Sequence, residues 1–325
     1  MRRWLLLCFL PLSLFASKVT LSPVHPSIHN PWLTGPLLAP SDYTVSPGNA
    51  NYEPYLYVTA ITGGYDRDWK VVKSKHVFRS NVFQPEVDVG LTSWLDFEIY
   101  PTLNYNYTDH QARWTLGDLP VLINIQLYKP KTALSWIPAV KFSLIESLPI
   151  GKYRRLNPKK QGTDFGGSGS FETSFGLTFG KLWHFSNIYF MTTRLYLQYT
   201  LPAATHLKGF NYYGGGFGTN ARFFPRQVFS VDFAVEINLS EHWALACDVV
   251  GLGLGRSHFT GNPGFLAEGV PAPLGAPAGV QYSLAPAIEY NWNANLGVIG
   301  GSWFSFAGRN SSRFWSAVLA LNYYQ

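Results

Sequence analysis

The stretch Gln227–Gly255, QVFSVDFAVEINLSEHWALACDVVGLGLG, decides the fold class. From Phe229 to Leu239 it alternates without a break. Phe229, Val231, Phe233, Val235, Ile237 and Leu239 are apolar; Ser230, Asp232, Ala234, Glu236 and Asn238 are small or polar. Successive side chains of a strand point to opposite faces, so a period of two is a β signature. Ser240-Glu241-His242 turns the chain. Trp243, Leu245, Cys247 and Val249 then resume an apolar face against Ala244, Ala246 and Asp248. The hairpin has one oily face and one face carrying carboxylates. In a soluble sandwich the oily face is core; in a transmembrane barrel it meets lipid, and the acidic face meets a wet lumen. The hairpin alone allows both.

The rest of the chain chooses. Alternation recurs in Tyr52–Tyr65, Ser80–Gly90, Trp94–Tyr107, Leu116–Tyr128, Trp136–Leu148, Gly169–Lys181, Ile188–Leu201, Gln281–Trp292, Asn295–Phe306 and Arg313–Tyr324. With the hairpin these make about twelve strands, an even number, as in bacterial outer-membrane barrels. Connections sort by parity. Leu91–Ser93, Lys129–Ser135, Leu182–Asn187, Ser240–His242 and Asn293–Ala294 are short. Asp66–Arg79, Thr108–Thr115, Ile150–Ser168, Pro202–Pro225 and Arg256–Val280 are longer, and only Gly308–Ser312 departs from the rule. A sandwich has no reason to segregate loop lengths in this way. The expectation is an all-β, up-and-down, antiparallel transmembrane barrel over residues 52–325, with short periplasmic turns, long extracellular loops and both termini periplasmic.

Composition agrees. Of 325 residues, 16% are aromatic and only 14% charged, against about a quarter charged in soluble domains. Mean hydropathy is −0.01, and no internal run reaches the roughly 18 apolar residues of a membrane helix. The net charge of +6 sits in loops, so nucleic acid is not an expected partner. Cys8 and Cys247 are the two cysteines; Cys247 lies on an apolar strand face and reads as an inert small hydrophobe. Residues 1–16, with Arg2-Arg3 before the apolar Trp4–Leu14 and Ala16 at the end, read as a secretory signal peptide. Residues 17–51 are rich in Pro and Gly without periodicity, and are expected to be either a periplasmic arm or a plug in the lumen, the arm being preferred.

Trp94, Trp136, Trp183, Trp243 and Trp292 sit at or beside the short turns. Tryptophan belongs at a membrane interface, where an apolar ring carries one polar handle, so these five predict a girdle. Gly117-Asp118-Leu119, Leu148-Pro149-Ile150-Gly151 and the Leu239–Trp243 turn carry a resemblance. The chain resembles the outer-membrane proteins described as meta-pathway phenol-degradation transporters. The resemblance implies an outer-membrane barrel of a Gram-negative bacterium that passes small organic compounds, and it transfers no substrate-binding residue.

Catalytic and metal signatures are weak. The eight histidines show no H-x-x-H or H-E-x-x-H spacing, and no G-x-S-x-G elbow occurs. His110 beside Asp109, or His206, are the candidates a surface hydrolase would use; solvated loop histidines are the plainer reading. The runs Gly166-Gly167-Ser168-Gly169 and Gly214-Gly215-Gly216 lack the form of a phosphate loop and read as flexible loops. No enzyme activity, cofactor or metal is expected.

Charge placement is more informative. On the inward faces stand Glu86, Asp88, Asp96, Glu98, Glu172, Asp232, Glu236, Asp248 and Glu289, with Lys141 and Arg194 as the main inward cations. Glu146 falls on an outward face and is expected near an interface or behind a bulge. The long loops are basic: Lys152, Arg154, Arg155, Lys159 and Lys160 form the densest group, and they are expected to meet lipopolysaccharide. The functional expectation is a monomeric channel for passive passage of small solutes, hydrophobic or aromatic ones included. Its alternatives are a closed surface-binding barrel and an outer-membrane hydrolase. Cysteines introduced into Ile150–Ser168 or Arg256–Val280 should react with an impermeant maleimide on intact cells, and one in Leu182–Asn187 should not. Labelling of that short turn would overturn the parity argument.

Overall fold

The computed structural model describes residues 32–132, 135–185 and 189–325; the expected leader lies outside them. The elements in chain order are β1 (Ala50–Tyr65), β2 (Val71–Thr92), β3 (Leu95–Ile99), β4 (Leu103–Tyr107), β5 (Ala112–Leu116), β6 (Leu119–Tyr128), β7 (Ala139–Leu148), β8 (Glu172–His184) and β9 (Phe190–Pro202). They continue with β10 (Thr205–Lys208), β11 (Asn220–Phe224), β12 (Val228–Asn238), β13 (Trp243–Leu254), β14 (His258–Asn262), β15 (Gly279–Asn293), β16 (Leu296–Arg309) and β17 (Ser311–Tyr324). β3 with β4, and β5 with β6, are halves of single wall strands. The wall is therefore a closed antiparallel barrel of 12 strands. β1 pairs with β2 on one side and with β17 on the other, so no edge is left open. Closure is what lets a sheet cross lipid, where an unpaired backbone group costs several kcal/mol.

The opening hairpin is β12–β13, in the register its alternation predicts: Asp232 lies opposite Val250 and Ala234 opposite Asp248. Outward residues are large and apolar, among them Phe83, Phe97, Ile123, Phe175, Phe233, Val249, Ile288 and Leu319, all exposed. Trp94, Trp136, Trp243 and Trp292 are exposed at the short-turn end, and Trp69, Trp114 and Trp315 lie toward the other. Trp183 is half-buried and packs edge-on to Trp136, ring centroids 6.0 Å apart. A band of aliphatic and Phe side chains between two rows of Trp is a surface built for a bilayer. Glu146 points outward near the long-loop end of β7 and accepts a hydrogen bond from Thr173 Oγ1 at 2.6 Å, which fits a place near an interface.

Two expected connections are corrected. Asp66–Arg79 is not a loop beyond Lys70: β2 starts at Val71 and runs 22 residues, and Gly63 to Tyr65 pair with Lys73 to Val71. Thr108–Thr115 is a tight hairpin, closed by Thr108 N–H donating to Gln111 O, because β4 and β5 pair beyond the rim of β7. The strand expected over Trp94–Tyr107 breaks at Tyr100-Pro101-Thr102, and its neighbour at Gly117-Asp118. Pro101 has no N–H for the ladder. The two breaks lie side by side and are bridged by Tyr100 N–H to Pro120 O at 3.1 Å and Gly117 N–H to Thr102 O at 2.9 Å. The two longest loops do not simply dangle. They supply β10, β11 and β14, a second antiparallel sheet whose core is Leu207, Tyr213 and Phe223.

Candidate functional site

All eleven charged residues assigned to the lumen by alternation are buried, and their strand positions place them on the inner face. Five of the nine carboxylates, Asp88, Asp96, Glu98, Glu236 and Glu289, sit within four residues of the short-turn ends of their strands; Glu86, Asp232 and Asp248 lie just above, and Glu172 is at the long-loop end. Sequence alternation missed two others. Glu53 faces inward from β1, whose inner face is ambiguous in sequence because Tyr55 and Tyr57 share it. Asp42 belongs to no strand and carries no periodic signal.

Asp42 is part of residues 32–49, which run inside the barrel. Its contacts travel round the wall from β15 to β2, with β12 touched before β13. Asn291 Nδ2 on β15 donates to Trp32 O, and Thr34 N–H donates to Glu289 Oε2 at 2.8 Å. Gly35 N–H donates to Glu236 on β12 at 3.0 Å. The N–H groups of Leu37, Leu38 and Ala39 all donate to the Asp248 carboxylate on β13, at 3.1, 3.2 and 2.9 Å. Asp42 pairs with Arg194 on β9 at 3.4 Å. Thr44 N–H reaches Gln126 on β6, and Val45 N–H reaches Asp96 on β3, both at 2.9 Å. Gly48 N–H donates to Gly90 O on β2, and the chain then enters β1. The segment thus makes nearly one circuit of the inner wall.

The physical reason is mutual need. A non-repetitive backbone inside a barrel has N–H groups that no ladder satisfies. A wall of buried carboxylates has lone pairs that must find donors. Each solves the other's problem, and a hydrogen bond to a charged acceptor contributes roughly 1.5–3 kcal/mol. Wall glycines make the approach possible: a Cβ at Gly180 would stand 2.1 Å from Asp42 Cγ, and one at Gly90 2.0 Å from Ser46 O. Wall side chains supply further donors, to Glu98 and Glu86, which the segment does not reach, and to the second oxygen of Glu236. Asn124 Nδ2 donates to Glu98 at 2.9 Å, Gln84 Nε2 to Glu86 at 2.8 Å, and Thr192 Oγ1 to Glu236 at 2.7 Å. The lumen is not polar throughout. Tyr55, Ile61, Val250, Leu252, Ile299, Trp303, Phe314 and Val318 form an apolar sector, against which Leu37 and Leu38 pack.

Toward the long loops lies a cavity whose empty space, open solvent at its mouth included, is about 1430 Å³. Ile61, Ile145, Leu252, Leu254, Trp303 and Phe314 supply apolar wall, Tyr212 and Tyr213 reach it from the loop between β10 and β11, and Glu172, Ser230 and Arg226 are among its polar groups. The loop between β7 and β8 is tied down beside it. Asp118 accepts hydrogen bonds from Gly151 N–H at 2.9 Å, Ser168 N–H at 2.6 Å and Ser168 Oγ at 3.0 Å. The two short motifs Gly117-Asp118-Leu119 and Leu148-Pro149-Ile150-Gly151 thereby meet. Gly166 and Gly167 are not a flexible run: a Cβ on them would stand 1.9 Å from Leu116 O and 2.0 Å from Asp118 Oδ1.

Of the basic loop residues, Lys152, Arg154, Arg155 and Lys159 are exposed and Lys160 half-buried. Lys152 Nζ is held 2.7 Å from Asp164 Oδ2, and Arg154 Nη1 donates to His206 O at 3.3 Å. Asp109, a hydrolase candidate beside His110, is instead engaged by His76 at 3.1 Å and approached by Arg79 at 3.9 Å. The hydrogen bond from His76 holds its carboxyl below the usual range.

No family model and no characterised protein matches the sequence. Solved structures do match the fold. An outer membrane channel of Pseudomonas putida superimposes with a TM-score of 0.65 at 12% identity, over 87% of this chain and 97% of that one. The NanC porin gives 0.42 at 9% identity, over 83% and 98%. A mutant of the TodX monoaromatic hydrocarbon channel gives 0.44 at 9% identity, over 92% and 96%.

Asp248 is the firmest anchor of the inner segment. Asp248→Ala removes the acceptor of three buried N–H groups, a loss on the order of 3 kcal/mol or more. With Cys247→Ser as background, a Leu38→Cys thiol should then react with a small maleimide several times faster than it does beside Asp248, while the barrel keeps its heat-dependent electrophoretic shift. Unchanged reactivity would mean that Asp248 does not hold the segment.

Proposed function

We propose that the chain is an outer-membrane channel for small, largely apolar organic solutes, with its termini periplasmic and its lumen controlled by residues 32–49. One observation carries this reading: an apolar-walled cavity at the long-loop end stands above a segment held by hydrogen bonds rather than by the barrel ladder. A ladder strand cannot leave without opening the wall; a segment held by side-chain carboxylates can. Support comes from the fold shared with the Pseudomonas putida channel, and from the resemblance to the phenol-degradation transporters. Apolar solutes fit the lining of Ile61, Leu252, Trp303 and Phe314. A second reading, a surface-binding barrel with a closed lumen, draws on the complete burial of Leu37, Leu38 and Ala39.

Planar-bilayer recordings separate the two. In the channel reading, deletion of residues 32–45 raises conductance and leaves the wall carboxylates without their backbone donors. The open form then prefers cations, because low-dielectric walls focus the field of fixed charges. That preference weakens with salt, since screening shortens to about 3 Å at 1 M. Glu98→Gln with Glu236→Gln should lower it further. A deletion variant that stays silent would favour the closed barrel, and one that prefers chloride would mean that these carboxylates do not line the conducting path.

The exposed basic loop is proposed to face lipopolysaccharide, whose phosphates suit Lys and Arg. Neutralising Lys152, Arg154, Arg155, Lys159 and Lys160 together should reduce the lipopolysaccharide that copurifies with the barrel. Undiminished retention would mean a merely solvated loop face.

A further inference from the structure

The outer cavity is apolar over most of its wall, and its few polar groups are unevenly satisfied. Arg226, just before β12, lines it and has a buried Nη1 with no hydrogen-bond partner among the described residues. Ser230, four residues on along the same edge, is 4% exposed, and its Oγ also lacks a partner. Val228 lies between them, and Leu252 faces Ser230 across the β12–β13 pair. Glu172 is the acid that shares the cavity. It does not pair with Arg226: the register places Glu172 opposite Pro202 on β9, while β12 joins the far side of β9 with Val228 opposite Thr200. Their backbones are thus about two strand spacings apart, roughly 10 Å. Glu172 sits near the Asp118 and Ser168 cluster instead.

A guanidinium with a dry, unmade hydrogen bond is costly to keep. The cost is offset when an anion arrives that brings its own apolar body to cover Val228, Leu252 and Trp303. We infer that the cavity between the β12 edge and the loop sheet is a binding site for an amphipathic organic carboxylate, an aromatic or alicyclic ring bearing one carboxyl group. Arg226 receives the carboxylate by a charge-assisted hydrogen bond, the ring lies on the apolar sector, and Ser230 supplies a hydroxyl for a ring substituent. Glu172 disfavours a second negative charge on the same molecule. This deepens the channel reading and rests on it for the direction of transport, not for binding.

The test uses the full-length barrel in detergent and in liposomes, with benzoate, phthalate and benzyl alcohol as probes. Calorimetry should show benzoate binding more tightly than benzyl alcohol or the dianionic phthalate. Arg226→Gln should weaken benzoate about tenfold or more, the scale of one charge-assisted hydrogen bond, and leave benzyl alcohol within about twofold. Arg222→Gln, an exposed neighbour on β11, should change neither. Equal binding of benzoate and benzyl alcohol, phthalate binding as well as benzoate, or a benzoate affinity indifferent to Arg226→Gln, overturns the inference. Liposome flux tells the two readings apart. If the barrel speeds benzyl alcohol over protein-free liposomes while benzoate does not depend on Arg226, the channel stands and the carboxylate site falls. If benzoate binds through Arg226 but the barrel speeds neither probe over protein-free liposomes, the site stands and the channel falls.

Discussion

The carboxylates of the wall and the backbone N–H groups of residues 32–49 are the interaction on which the lumen depends. Neither set is stable alone. Buried acids in a narrow barrel repel one another and have lost water; an irregular chain in the same space has donors with no acceptor. Asp248 receiving three consecutive N–H groups is the most concentrated instance. The arrangement resembles the capture of an anion at a helix end, with the roles reversed: here the anion is fixed in the wall and the amide groups are brought to it.

This changes how the acidic wall is to be understood. Counted by sequence, nine carboxylates against Lys141 and Arg194 leave a large surplus of negative charge, which fixed cations, protons or mobile ions would have to balance. Neutral dipoles from the backbone take up part of that task. Arg194 on the wall holds the segment at two points, donating to Ala39 O at 3.3 Å while it pairs with Asp42. The segment therefore brings one acid of its own together with the amides that quiet several others.

Much of the fold was legible in the sequence, because a barrel wall repeats one rule. The hairpin at Phe229–Val249 alternates so cleanly that each acid read on one face of it is buried, and the same rule picks out the buried Glu86, Lys141, Glu172 and Glu289. It failed where the rule is suspended. The first strand hid Glu53 because tyrosines occupy the inner face and blur the contrast. The breaks at Tyr100–Thr102 and Gly117-Asp118 were invisible to alternation, although Pro101 and Gly117 were the signals available. Residues 32–49 left only composition to read, since a segment held by backbone-to-side-chain bonds imposes no pattern on its own side chains. The clustering of Arg226 and Ser230 at a cavity is a property of loop closure that no local stretch encodes.

The circuit of the inner segment also bears on how the molecule comes together. Thr34 is bound by Glu289 and Asn291, partners 255 and 257 positions away, while Gly48 is bound by a neighbour in the adjoining hairpin. The near end can seat as soon as β1 and β2 pair; the far end has no site until β15 stands beside β13 and β12. Seating must then proceed from Gly48 backward toward Trp32, like a cord wound into a ring as the ring is closed. Occupancy of the Glu289 end is thus a mark that the wall has been laid at least as far as β15.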